Sequence, residues 1–228
     1  LDECVAMCDD IIKSGLFNLD DAYRKKFLYN NGVHIKDFIY AMPYDKVSAQ
    51  GLKYGQYRTF RKVDGGDSMG YLGGKMNKSC AGICAMNEEF ANLYTLPGDD
   101  RNDIILGATT DGKVYIHDPL TGEPTANPYI YKGEQLVLSK KIQLKDDSET
   151  ARQQLDCGAT PKGWSQGYRS LKFYPNPNEY ASYERNQSND VPIFRYADII
   201  LTKAEALLRG AQKTNDDTPQ SLLNQIRS

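Results

Sequence analysis

From Asp190 to Gly210 the chain carries a run that has few ways to fold other than as a helix. Ile193, Ala197, Ile200, Leu201, Ala204, Leu207 and Leu208 keep a 3.6-residue period, Glu205 and Arg209 are spaced for an i,i+4 ion pair, and Gly210 stands where a C′ residue belongs. Asp190 reads as its cap, with Pro192 in the first turn. After the polar loop 211–218, Thr218 and Pro219 repeat the cap signal ahead of Leu222, Leu223 and Ile226. A helix this short is marginal alone, so the two are predicted to pack as a helix hairpin, the unit of helical repeats.

The other end is also helical. Leu1, Cys4, Val5, Cys8, Ile11 and Ile12 form an apolar stripe with no capping residue ahead of it, and Ser14-Gly15 closes it. Because this stripe begins uncapped and the last helix reaches Ser228 without a C-cap, the chain is expected to be a piece of a longer protein. Asp20 or Asp21 should cap a second helical stretch with Tyr23, Phe27 and Leu28, stopped by Asn30-Asn31-Gly32, and a short apolar run follows from Asp37 to Met42. Residues 43–75 lose periodicity and read as a long loop. Residues 86–96 regain a helical pattern, and Ile104–Thr110 and Lys113–His117 flank Asp111-Gly112 as a predicted hairpin. Leu136–Leu144 is a further strand candidate, and 145–190 is polar and turn-rich.

Several chemistries are set aside by what the chain contains. Lys+Arg 28 against Asp+Glu 30 gives a net charge of −2, without the basic footprint of a nucleic-acid binder, and no apolar run is long enough for a membrane helix. Cys4, Cys8, Cys80, Cys84 and Cys157 include two C-x-x-x-C pairs, whose spacing differs from a zinc knuckle. Cys4 and Cys8 lie on a helical stripe, where packing is the better use, and no metal or cofactor is expected. His34 and His117 are read as surface histidines titrating freely. No nucleophile elbow, phosphate loop or zinc-protease motif occurs, so no catalytic residue is assigned.

The aromatic balance is unusual, with 16 Tyr against 7 Phe and 1 Trp. Tyr joins a flat apolar face to a hydroxyl that can stay wet. Tyr54, Tyr57, Arg58 and Tyr71 lie in the first loop, with Gln56 nearby, and Trp164 and Tyr168 lie in the second, with Lys162. Such mixtures suit a sugar platform, aromatic faces against C–H groups and polar neighbours against hydroxyls. The other use of each ring is to pack the loops onto the helices.

The residues become specific at the C-terminal end. Pro192-Ile-Phe-Arg195-Tyr-Ala197-Asp198-Ile-Ile-Leu201-Thr-Lys-Ala204-Glu205-Ala206, with Asn224-Gln225-Ile226-Arg227 after it, resembles the signature of the SusD/RagB family of nutrient-binding lipoproteins, with Asp198 where Glu is usual. Ser14-Gly15-Leu16-Phe17, Phe38-Ile39-Tyr40-Ala41 and Asp99-Asp100-Arg101 agree in order. The resemblance implies a mainly α fold of TPR-like helix pairs, an α-α superhelix, with a large irregular loop region and a small β-hairpin. It implies a C-terminal part: residues 1–42 helical, 43–190 the ligand or partner region, 191–228 the helix hairpin, and an N-terminal half with a lipid anchor lying outside the chain. It also implies an outer-membrane lipoprotein facing outward in Bacteroidetes-type bacteria, binding an oligosaccharide or polysaccharide, or a peptide in some members, beside a SusC-like TonB-dependent transporter. Within the signature, Ala197, Ala204 and Ala206 would let helices approach while Arg195 and Glu205 bridge them. The rival readings are an intracellular helical-repeat adaptor and, more weakly, a glycoside hydrolase.

Overall fold

In the computed structural model, which describes residues 1–50, 85–118, 120–131, 133–142, 165–174 and 187–227, the predicted C-terminal hairpin is present. Helix α3 (Tyr196–Leu208) ends at Gly210 with φ +96°, and α4 (Pro219–Arg227) begins after Thr218. Thr218 Oγ1 accepts from the Ser221 amide at 3.0 Å while Ser221 Oγ accepts from the Thr218 amide at 2.9 Å, a reciprocal cap. Helix α1 (Asp2–Lys13) packs against α3, so the first and last segments share one core built from Val5, Ile200, Ala204, Ala206, Leu207 and Leu222. Lys203 is fully buried where the helices meet; its Nζ lies 2.6 Å from Asp9 Oδ1 and 2.5 Å from Asp217 Oδ2. Thr214 donates its hydroxyl to the other oxygen of Asp9. Burial would raise the Asp9 carboxyl, but hydrogen bonds from Lys203 and Thr214 outweigh it and hold the group below its ordinary range.

The start of α3 differs from the sequence expectation. Residues Val191–Arg195 form strand β8, antiparallel to β1 (Phe38–Met42), and the helix opens only at Tyr196. The apolar period does not extend back to Ile193, which is 47% exposed. Asp190 is not the cap; it accepts from the Tyr44 amide at 3.3 Å. The helix start is held instead by Asp37, whose main-chain carbonyl accepts from the Tyr196 amide at 2.7 Å and whose Oδ1 accepts from the Ala197 amide at 3.1 Å.

The middle of the chain is made of short elements. Tyr23–Phe27 is a 3₁₀ turn and not an α-helix, and Asp21 accepts from the Lys36 amide at 3.1 Å without capping it. The predicted helix at 86–96 is a single turn, α2 (Glu88–Ala91), with Asn87 as its cap. Strands β2 (Ile105–Leu106) and β7 (Arg169–Ser170) pair, as do β3 (Tyr115–His117) with β4 (Pro124–Pro128) and β5 (Ile130–Tyr131) with β6 (Glu134–Gln135). The Asp111-Gly112 turn forms, with φ of 51° and 81° and the Lys113 amide donating to the Thr110 carbonyl at 3.1 Å, but the strands on either side of it do not pair with each other. The Leu136–Leu138 segment takes their place: Leu138 donates to the Gly112 carbonyl at 2.7 Å, and Lys113 bridges to Val137. A Cβ at position 112 would collide with the Leu138 carbonyl, which makes glycine necessary there. The β3–β4 hairpin turns at Asp118, whose Oδ1 accepts from the Leu120 and Thr121 amides at 2.8 Å each.

Ile104, Ile105, Leu106, Val114, Leu136 and Leu171 are among the residues of the main core of this region. Among the described residues there are four α-helices and eight short strands in four two-stranded sheets, so the fold is mixed and not a mainly α superhelix. Among the described residues, helix packing is confined to the two ends of the chain, where α1, α3 and α4 share one core.

Candidate functional site

Sheet β1–β8 organises the polar chemistry. Asp37, immediately before β1, is completely buried; its Oδ2 lies 2.9 Å from Lys26 Nζ and 2.9 Å from Arg195 Nη1. One carboxylate thus binds the 3₁₀ turn, the end of β8 and the start of α3. Arg195 therefore does not bridge helices with Glu205, as the sequence suggested. Glu205 pairs with Arg209 at 2.7 Å on the surface, as its i,i+4 spacing predicts.

The same sheet carries an exposed aromatic pair. Tyr40 and Phe194 stand opposite each other in register, 54% and 55% exposed, with Met42 and Ile193 also exposed on these strands and the Tyr44 hydroxyl 3.1 Å from Met42 Sδ. No local signal marks this pair: Tyr40 lies in a short apolar run and Phe194 in a run whose apolar period predicts a helix, and only the pairing of the two runs as strands puts them side by side.

Of the sugar-platform candidates, Tyr54, Tyr57, Arg58, Tyr71 and Trp164 lie outside the described residues. Tyr168 is described, and its expected role is corrected. It is 5% exposed, its ring packs directly over Gly107, and Lys140 Nζ lies 5.7 Å above it. Its backbone pairs with Met86, which draws the ring into the core and leaves no face free for stacking. Cys8 is buried as expected, its thiol pushed up to about 11 chiefly by burial, and Cys4 and Cys8 are both free. Cys80, Cys84 and Cys157 are outside the described residues. No group of three metal-ligating side chains occurs among the described residues.

His34 is exposed, but His117 is not a surface histidine: it is 3% exposed and its ring stacks on Tyr174, 6.1 Å between centroids and 7° between planes. Burial, helped by the nearby Arg24 charge, pulls the imidazole from 6.5 to about 4. Between those values the unfolded chain binds a proton that the folded chain refuses. Stability should therefore be undiminished above about pH 6.5 and fall as the pH is lowered towards about 4, by on the order of 3 kcal/mol. Urea denaturation across this range checks it, and a His117→Phe variant should lose that part of the slope.

A family model for the SusD family matches residues 36–228. The chain belongs to the SusD family. SusD family proteins are non-catalytic, surface-exposed binding proteins, which sets aside the hydrolase reading. No curated protein sequence matches the chain. Among solved structures it is similar to surface glycan-binding protein A from Bacteroides thetaiotaomicron in complex with laminarihexaose, at 16% identity over 98% of this chain and 42% of that one, with a TM-score of 0.51. A second structure described as surface glycan-binding protein A from the same organism gives 17% identity over 97% and 41%, with a TM-score of 0.50. A SusD-like carbohydrate-binding protein from Bacteroides fragilis gives 19% over 98% and 40%, with a TM-score of 0.49. The chain thus spans about two fifths of the length of these structures, and at the identities of the first two the likeness is one of fold. In SusD terms the signature is structural: Ala197, Ala204 and Ala206 are buried, and Arg195 serves Asp37. No helix among the described residues is long and apolar enough to cross a membrane.

Proposed function

We propose that this chain is the C-terminal part of a surface glycan-binding protein that captures an oligosaccharide and delivers it to a SusC-like TonB-dependent transporter. The observation that carries the reading is the SusD family match over residues 36–228. A related fold is that of a protein solved in complex with laminarihexaose, which favours a glycan over a peptide as the ligand. The division into residues 1–42, 43–190 and 191–228 belongs to this reading, as does an outward-facing outer-membrane location through a lipid anchor on a segment preceding the chain.

Binding is assigned to aromatic rings beside polar groups. Tyr54, Tyr57, Arg58, Tyr71 and Trp164 remain the sequence candidates, and the exposed Tyr40–Phe194 pair is a further stacking surface. Replacing Tyr54, Tyr57, Tyr71 and Trp164 together by Ala should weaken affinity for the bound glycan by about tenfold or more. Helix content by circular dichroism should stay unchanged, since these residues lie outside the helix hairpin. Unaltered affinity in the fourfold variant would remove the assignment.

A further inference from the structure

Tyr23 opens the 3₁₀ turn and is surrounded by cations from separate parts of the chain. Lys26 Nζ lies 5.9 Å from its ring centroid, Lys172 Nζ 5.8 Å and Arg195 Cζ 5.8 Å, and Lys172 Nζ is also 4.9 Å from the Phe27 ring. Arg101 is near enough for its charge to act on both Tyr23 and Lys172. Among the described residues, two carboxylates serve this group and both are committed. Asp37 holds Lys26, Arg195 and the Ala197 amide, and Asp99 is gripped by Arg101 through both oxygens.

Among the described residues of this group, Lys172 is the cation left over. Among the described residues its ammonium has two aromatic faces and no carboxylate. Burial, with the charges of Arg195 and Arg101, pulls it below the ordinary lysine range, the sign of a charge held in place without a counter-ion. A half-buried ammonium beside two guanidinium groups is costly by itself and becomes favourable when an anion is shared between them. Arg195 spends Nη1 on Asp37 and keeps a partly exposed guanidinium with further donors, suited to the paired oxygens of a carboxylate or sulfate.

We propose that the notch formed by Lys172, Arg195 and Tyr23 binds the oxyanion of a charged saccharide, the carboxylate of a uronic acid or the sulfate of a sulfated sugar. The saccharide half of this proposal rests on the glycan-binding function proposed above. The anion is shared by Lys172 and Arg195, whose charged groups each lie 5.8 Å from the Tyr23 ring centroid.

The test is calorimetric titration of the protein at low ionic strength with trigalacturonate, with its neutral methyl ester, and with a sulfated disaccharide. Inorganic sulfate serves as the minimal probe, read by the shift in melting temperature. One charged saccharide should bind about tenfold more tightly than its neutral counterpart, and Lys172→Met, which keeps the stem over both rings, should lose about that factor. Lys172→Arg should retain binding, added salt should weaken it, and the Met variant should melt no lower than the parent. Whether the uronate or the sulfated sugar binds identifies the group. Equal binding of acid and ester, or unchanged affinity in Lys172→Met, would overturn the notch and leave glycan binding intact. Sulfate raising the melting temperature of the parent but not of Lys172→Met, with no saccharide bound, would overturn the proposal together with the glycan reading.

Discussion

Replacing Asp37 with Ala should destabilise the protein by about 3–5 kcal/mol, the range for removing one partner of a buried charge pair. The carboxylate has no exposed surface and Lys26 very little, so the variant strands a buried ammonium and unties Arg195 as well. It also deprives the Ala197 amide of its acceptor at the start of α3. Asp37→Asn should fall between, since an amide oxygen can still accept from Ala197 while the charge is gone. Glu205→Ala provides the contrast. The Glu205–Arg209 pair is 61% and 66% exposed, and its loss should cost no more than about 0.5 kcal/mol. Urea midpoints of the three variants measure the difference; equal losses for Asp37→Ala and Glu205→Ala would refute the central role of Asp37.

Lys203→Met should be comparably severe, about 3–5 kcal/mol, and should also change the sign of a pH dependence. In the parent, Lys203 and Thr214 hold the Asp9 carboxyl below its ordinary value. Its contribution is therefore complete above the unfolded carboxylate range and is lost as the pH falls through the folded value. Without Lys203, Asp9 sits buried beside α3 with only the Thr214 hydroxyl, and burial raises its pKa above the unfolded value. The variant should then recover stability as the pH is lowered and Asp9 takes up a proton. Its denaturation midpoint, followed from about pH 7 to about pH 4 and compared with the parent, should show the smallest gap at the acid end. A constant gap across that range would mean that Asp9 is not the group left exposed to the loss.

The elements legible in the sequence are those whose signals are local. Gly210, Thr218 and Pro219 end one helix and start the next wherever the rest of the chain goes, and the hairpin forms where those residues place it. The beginning of α3 depends on β1, about 150 residues earlier, and on a carboxylate from outside the helix. No period within 190–210 carries that information, and a strand ending in Arg195 was absorbed into an apolar helical pattern. Asp111-Gly112 shows the same limit: the turn forms, yet Leu136–Leu138 competes for its flanks. For the site, composition could mark Tyr168 as aromatic and neighboured by polar groups, but not decide whether its ring faces sugar or core. The packing of the ring against Gly107 and under Lys140 decides that, and it is made by tertiary contacts. The exposed Tyr40–Phe194 pair was hidden for the converse reason, since each partner was read without its strand neighbour.

The function proposed above is that of a SusD family protein that binds glycans without cleaving them. Calorimetric titration of the protein against a panel of oligosaccharides that includes laminarihexaose, with reducing ends assayed after prolonged incubation, tests it most directly. The account predicts saturable binding of at least one oligosaccharide and no increase in reducing ends. Tight peptide binding with no response to any glycan, or release of reducing ends, would contradict it.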